Sequence, residues 1–233
     1  IPEGPGEVLW DNTQVGIPGP ITGQSVFSFK ASNFEDGQNL VNTAKDFTVP
    51  EGEEWEITFI WTIGLTMQTD ADAFGVAFYD ADGDVPGTLL AEQQVPLGPD
   101  VSMQEQQITL PEPVTLGPGR HFVSVFAVYD DFQGSTDDRR WLWRVGPEPS
   151  GDLDAVIQDQ ADFLGAGVFP WTPITDLGLD DPSPFFALRG NASPAGGSLP
   201  PPSAVPIDGR SMLIVLLALV AGIGALFARR IAG

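Results

Sequence analysis

The chain contains no cysteine, a single histidine (His121), and only two lysines (Lys30 and Lys45) among its 233 residues. Without cysteine there is no disulfide framework, no thiolate nucleophile and no sulfur-ligated metal centre. A fold of this composition placed outside the cell must hold itself together through its own core. One histidine cannot supply a His-pair metal site. As a catalytic base it would need a serine and an acid converging on it, and no GxSxG nucleophile elbow is present. His121, next to Arg120, reads as the opening residue of a strand. Scarce lysine beside 32 Asp and Glu leaves a net charge of −22. A field of that sign repels nucleic acid, whose binding requires basic neutralisation. With so many carboxylates, some pair always falls at glycosidase separation, so such a pair carries no information.

Long apolar runs are equally scarce, and the one that exists closes the chain. From Met212 to Ala228, centred on Val220, no side chain is charged or strongly polar. As a helix this run would reach about 26 Å at roughly 1.5 Å per residue, the short edge of what a bilayer core near 30 Å demands. A soluble helix normally keeps a polar face, and this run has none. Arg229 and Arg230 follow it and only Arg210 precedes it. The positive-inside rule therefore expects a membrane helix with a cytoplasmic C-terminus. Leu213, Leu216, Leu217, Leu226 and Phe227 give it bulk, while Ala218, Gly222 and Gly224 supply the small-residue spacing that permits close helix contact.

Everything before Arg210 is then expected to be exported. That part holds seven Lys and Arg against all 32 acids, a net of −25. Such an excess of carboxylate keeps a protein hydrated in strong salt, which fits a halophilic or marine bacterium; calcium-rich surroundings are the competing reading. With no N-terminal Met and no leader, the chain is expected to be a mature form whose signal was removed before Ile1.

The exported part reads as β throughout, with apolar segments recurring between Gly/Pro/Asn/Asp turns. In WEITFIWTIGL, Trp55, Ile57, Phe59, Trp61, Ile63 and Leu65 alternate, predicting one buried face. Phe74–Tyr79 predicts a second strand ended by the turn DADGDVPG. Ile108–Leu110 and Val114–Leu116 flank a Pro-Glu-Pro that argues against a long central strand. His121–Tyr129 is apolar on both faces and predicts a central strand; Trp141–Val145 and Phe185–Gly190 complete the set. A short helical turn around Leu153–Phe163 is the single exception expected before the tail. After Gly190 the sequence NASPAGGSLPPPSAVPIDG has almost no large side chain and reads as an extended spacer. The expected organisation is one all-β, jelly-roll-like sandwich over residues 1–190, a Pro/Ser/Gly linker over 191–209, and an apolar helix with a basic end over 210–233.

The tail VPIDGRSMLIVLLALVAGIGALFARR resembles C-terminal sorting signals of the IPTL-CTERM kind, relatives of PEP-CTERM, found on exported proteins of Gram-negative bacteria. Val205 and Pro206 match the Ile/Val-Pro start, while Ile207 and Asp208 depart from the usual Thr-Leu. The resemblance implies handling by an exosortase-type membrane enzyme that can remove the tail. The preceding part resembles a β domain that often accompanies such signals, through AKDFTVPEGEEWEI, FYDADGDVPGTLL, LGPGRHFVSV, RWLWR, PWTPITD and PFFALRGN. These are turn and core residues, so they imply a fold and a surface location with no activity attached.

Two clusters remain as candidate sites. Asp80, Asp82 and Asp84 place hard carboxylates at alternate positions, which suits Ca²⁺. Val85 and Ala91, however, occupy the positions where an EF-hand needs Gly and Glu, so a polar hairpin turn is the stronger reading. Trp141 and Trp143 share one face of their strand; exposed, they would form a platform for polysaccharide rings, and buried, they are core, again the stronger reading. No cofactor is expected. The sequence points to a non-enzymatic, structural or adhesive protein of the cell surface, anchored or self-assembling through its terminal helix in a filament, tube or envelope layer. A carbohydrate-binding module, with or without calcium, is its rival.

Overall fold

A computed structural model of the chain describes residues 4–13, 25–31, 39–66, 71–97, 105–132, 140–146, 153–178 and 183–196. In chain order the strands are β1 (Glu7–Asp11), β2 (Ser25–Phe27), β3 (Phe29–Ala31), β4 (Asn39–Val49) and β5 (Glu53–Thr66). Then come β6 (Ala73–Asp82), β7 (Val85–Pro96), β8 (Glu105–Leu116), β9 (Gly119–Tyr129) and β10 (Trp141–Gly146). The set closes with β11 (Val156–Asp159), β12 (Phe169–Pro173), β13 (Ser183–Pro184) and β14 (Phe186–Pro194). A single 3-10 turn, Ile174–Leu177, is the only helical element among the described residues, and none of these is a helix long and apolar enough to cross a membrane.

Two seven-stranded sheets result. The first runs β1-β14-β5-β10-β13, with β2 on β10 and β8 on β5; the second runs β12-β11-β4-β3-β9-β6-β7. Pairing is antiparallel except between β3 and β9. One apolar core joins both sheets: Trp55, Ile57, Trp143 and Phe186 from the first meet Phe47, Phe78, Val123 and Val125 from the second. Phe47 stacks on Trp55 with centroids 6.2 Å apart and planes 7° from parallel. Each such side chain contributes roughly 1.5–3 kcal/mol on burial. The all-β, sandwich-like expectation holds. Strand β9 is central, as its two apolar faces require: Val123 and Val125 point to the shared core, while Phe122 and Phe126 face outward against Tyr79 and Val156. That outer face is in turn covered by the β11–β12 excursion, through Leu153 and Trp171.

Three expectations need correction. The apolar residues of β5 do not share one face. Ile57 pairs with Gly190 and Phe59 with Arg189, leaving Thr58 as an extra residue against β14. A one-residue slip exchanges the faces of a strand. Trp55 and Ile57 therefore enter the shared core, whereas Phe59, Trp61 and Ile63 join Phe185 and Ala187 in a separate cluster on the opposite face. The side chain of Leu65 lies outside the described residues. The Pro-Glu-Pro expectation, by contrast, holds, since no central strand carries the segment. Strand β8 pairs only with β5 and absorbs Pro111 and Pro113 in a bulge between Thr109 and Val114, which an edge position permits.

Leu153–Phe163 does not form a helical turn. Val156–Asp159 pairs with Val41–Ala44 of β4. The buried Asp159 carboxylate then closes the chain into a turn by accepting N–H bonds from Ala161 (3.1 Å), Phe163 (3.0 Å) and Leu164 (2.7 Å). Finally, the β unit does not stop at Gly190. Asn191–Pro194 continues β14 against Glu53–Glu56, and the Ala195 N–H reaches the Gly52 carbonyl at 2.7 Å. A side-chain-poor segment can still pair through its backbone, which composition does not reveal. The compact unit extends through Ala195.

Candidate functional site

The edge strands β7 and β8 belong to different sheets, and an open groove of about 580 Å³ lies along them. Leu90, Ala91 and Gln93 line it from β7, Pro113–Leu116 from β8, and Asp80, Gly117 and His121 from the end of the sandwich. Both strands are irregular here. Phe78 pairs with Ala91 and Tyr79 with Leu89, so Leu90 bulges out of the ladder and stays half-exposed. Bulges re-aim side chains beside sites and end pairing at edges. Across the groove, the Gln93 amide takes the Glu112 peptide on both sides. Nε2 donates to the carbonyl at 2.8 Å, and Oε1 accepts the N–H at 3.0 Å. A smaller groove of about 290 Å³, lined by Phe74, Val95–Leu97 and Gln106–Thr109, lies along the same two strands.

His121 is nearly buried and faces Phe47, with ring centroids 5.8 Å apart. Nε2 lies 2.9 Å from the Gly117 carbonyl, which can only accept, so Nε2 carries the proton and His121 fastens the β8–β9 turn. Nδ1 is sealed from solvent without a partner. This is the strand-opening role expected of it. Beside it, Arg120 Nη1 donates to Asp84 at 3.0 Å and Nε lies 3.7 Å from Asp46, whose other oxygen takes the buried Lys45 Nζ at 2.6 Å.

The three aspartates of the turn do not gather. Asp80 Oδ1 accepts the Thr88 N–H across the hairpin, and Asp84 goes to Arg120. Asp82 pairs with Val85 to close a two-residue loop in which Gly83 adopts φ +64°. Among the described residues no group of three or more His, Asp or Glu side chains is placed to hold a metal. The Asp80–Asp82–Asp84 calcium reading therefore lacks a common focus. The sugar-platform reading of Trp141 and Trp143 is overturned, because both side chains are fully buried with ring centroids 6.2 Å apart. Trp143 Nε1 donates to the Phe185 carbonyl at 3.1 Å.

On the outer face of the second sheet lies a buried polar seam that the sequence did not single out. Asn42 Nδ2 donates to the Tyr79 hydroxyl at 3.2 Å, and Ser124 Oγ donates to the Thr43 carbonyl at 2.7 Å and meets Asn42 Oδ1. Burial pushes the Tyr79 hydroxyl up to about 12; the Asn42 bond opposes the shift and the Glu92 charge adds to it. The tail residues Leu213, Leu216, Leu217, Ala218, Gly222, Gly224, Leu226, Phe227, Arg229 and Arg230 lie outside the described residues.

The fold and grooves define a class no narrower than an all-β, two-sheet module. No protein family, no curated protein and no solved structure matches the chain.

Proposed function

We propose that the chain is a non-enzymatic structural or adhesive protein of the bacterial cell surface. In this reading a jelly-roll-like β unit is displayed on the Pro-rich spacer and held, or assembled with further copies, through the apolar C-terminal run. One observation carries the reading: the β unit is apolar on both faces of its second sheet as well as between its sheets, and reaches this without a disulfide. A self-sufficient module of this kind, with 32 acids on a cysteine-free chain, suits exposure outside the cell. The polysaccharide rival loses its aromatic platform with the burial of Trp141 and Trp143. Fractionation of producing cells tests the proposal. The full chain is expected with membranes and is cleaved by protease added to intact cells, while a chain ending at Gly209 is released. Recovery of the full chain from the cytosol, shielded from protease, overturns it. Electron microscopy of the detergent-extracted material tests assembly: monodisperse monomers rule out the filament or tube.

A further inference from the structure

Six of the ten basic side chains fall in the described residues, and five of them are engaged. Lys30 pairs with Glu92 at 2.7 Å, Lys45 with Asp46 at 2.6 Å and Arg120 with Asp84 at 3.0 Å. Arg189 Nη1 donates to the Gly4 carbonyl at 2.6 Å, and the Arg140 guanidinium lies 5.0 Å from the centre of the Phe163 ring. Arg144 is the sixth. Only 5% of it is exposed, and no carboxylate, carbonyl or hydroxyl among the described residues accepts from its guanidinium.

The strand pattern locates it. Trp143 and Val145 on either side point into the shared core, so Arg144 projects from the opposite face of β10, the outer face of the first sheet. That face carries the apolar cluster of Phe59, Trp61, Ile63, Phe185 and Ala187. The Phe185 N–H donates to the Arg144 carbonyl at 3.0 Å, and Gly146 leaves the space its ring fills. Burial lowers the proton affinity of the guanidinium, yet an arginine remains charged throughout the range in which proteins fold. The lost hydration must then be made good by opposite charge.

We infer that Arg144 anchors an anion site on the outer face of the first sheet, taking chloride or a small carboxylate from solution. The planar guanidinium fork matches a carboxylate with two parallel bonds, and a halide sits between the same donors. The inference is independent of where the protein resides or whether it assembles.

Chloride NMR linewidths decide it, measured on the full chain in non-ionic detergent with sodium chloride as the probe. The wild type is expected to broaden the chloride line beyond the buffer value, Arg144→Met to abolish the excess, and Arg120→Met to retain it. Added sodium acetate narrows the line if the site also accepts carboxylates and leaves it broad if the site is confined to chloride; either result supports an anion site. Occupancy at about ten times Kd raises the wild-type Tm by roughly 3–6 °C, with no such rise in Arg144→Met. Equal broadening by wild type and Arg144→Met overturns the assignment. If Arg144→Met does not fold, a wild-type line no broader than buffer overturns it without the variant.

Discussion

The Gln93 side chain binds the Glu112 peptide as a neighbouring strand would, one N–H out and one N–H in, although the two residues belong to different sheets. It is the polar link across the groove, and it meets the bulge that Pro111 and Pro113 impose on β8. Gln93→Leu keeps the bulk and removes both bonds. At a solvent-accessible site the expected loss is about 1 kcal/mol, a fall in Tm of roughly 2–4 °C by calorimetry. A Tm unchanged within error would show that the link is incidental.

Asp159 organises its turn from inside. Three N–H groups converge on one fully buried carboxylate, and Phe163, delivered by that turn, packs edge-on against Phe29 at 4.9 Å. Asp159→Ala is expected to cost about 3 kcal/mol, because the donors lose a charged acceptor without gaining another. Urea denaturation should show the midpoint falling at constant slope. An equally large loss in Asp162→Ala, whose carboxylate accepts only the Gly167 N–H, would remove the special role of Asp159.

A Cβ placed on Gly64 would overlap the Trp141 indole, with Cζ2 at 2.6 Å and two other ring atoms nearer. Gly64→Ala therefore overpacks the core and is expected to destabilise by about 1–3 kcal/mol. The smaller ring of Trp141→Phe in the same chain should recover part of that loss. A double-mutant cycle reads the coupling, and strict additivity of the two changes would contradict the overlap.

Tyr79 makes stability fall in alkali. Its hydroxyl titrates near 10 in the unfolded chain and near 12 in the folded one. The unfolded state thus releases the proton first, so the stabilisation is intact below pH 10 and disappears as pH rises through 12. The difference amounts to about 3 kcal/mol. Tyr79→Phe strands the Asn42 donor and lowers stability at neutral pH, yet its pH 10–12 limb should be flatter than that of the wild type. Phenolate absorbance offers a second reading: a component lost in Tyr79→Phe should titrate near 12, and its appearance near 10 would contradict the burial.

The acid excess predicts the effect of salt. Self-repulsion weakens as the Debye length shrinks from about 10 Å at 0.1 M to about 3 Å at 1 M, so Tm should climb with sodium chloride. Because the anion site adds a component specific to Arg144, Arg144→Met should keep the general rise and lose only the chloride-specific part. A Tm that drops with salt would mean that ion pairs such as Lys30–Glu92, not repulsion, dominate the surface.

Much of the fold was legible wherever one strand carried its own signature. His121–Tyr129 is apolar on both faces because it lies between neighbours and between layers, and the pattern says so directly. The turn at Gly83 announced a hairpin for the same local reason. Errors arose where register, a property of two strands, decided the outcome. Nothing in WEITFIWTIGL marks Thr58 as surplus, since the surplus exists only against Arg189 and Gly190 of β14. Asn191–Pro194 pairs through backbone that composition cannot see. The groove was invisible because its walls lie far apart along the chain, and Arg144 sat in view within RWLWR while only the folded neighbourhood shows it without a counter-charge.

The extra residue at Thr58 leaves a mark on everything downstream in its strand. Past it, the inward positions dwindle from Ile60 to Thr62 to Gly64, while the wide rings of Phe59 and Trp61 point away. The room so vacated is where Trp141 and Trp143 lie. Loss of that one residue would swing two aromatic rings and Ile63 back toward the two indoles at once. The extra residue, the glycine and the tryptophans therefore depend on one another, and a change at one alters the space that the others fill.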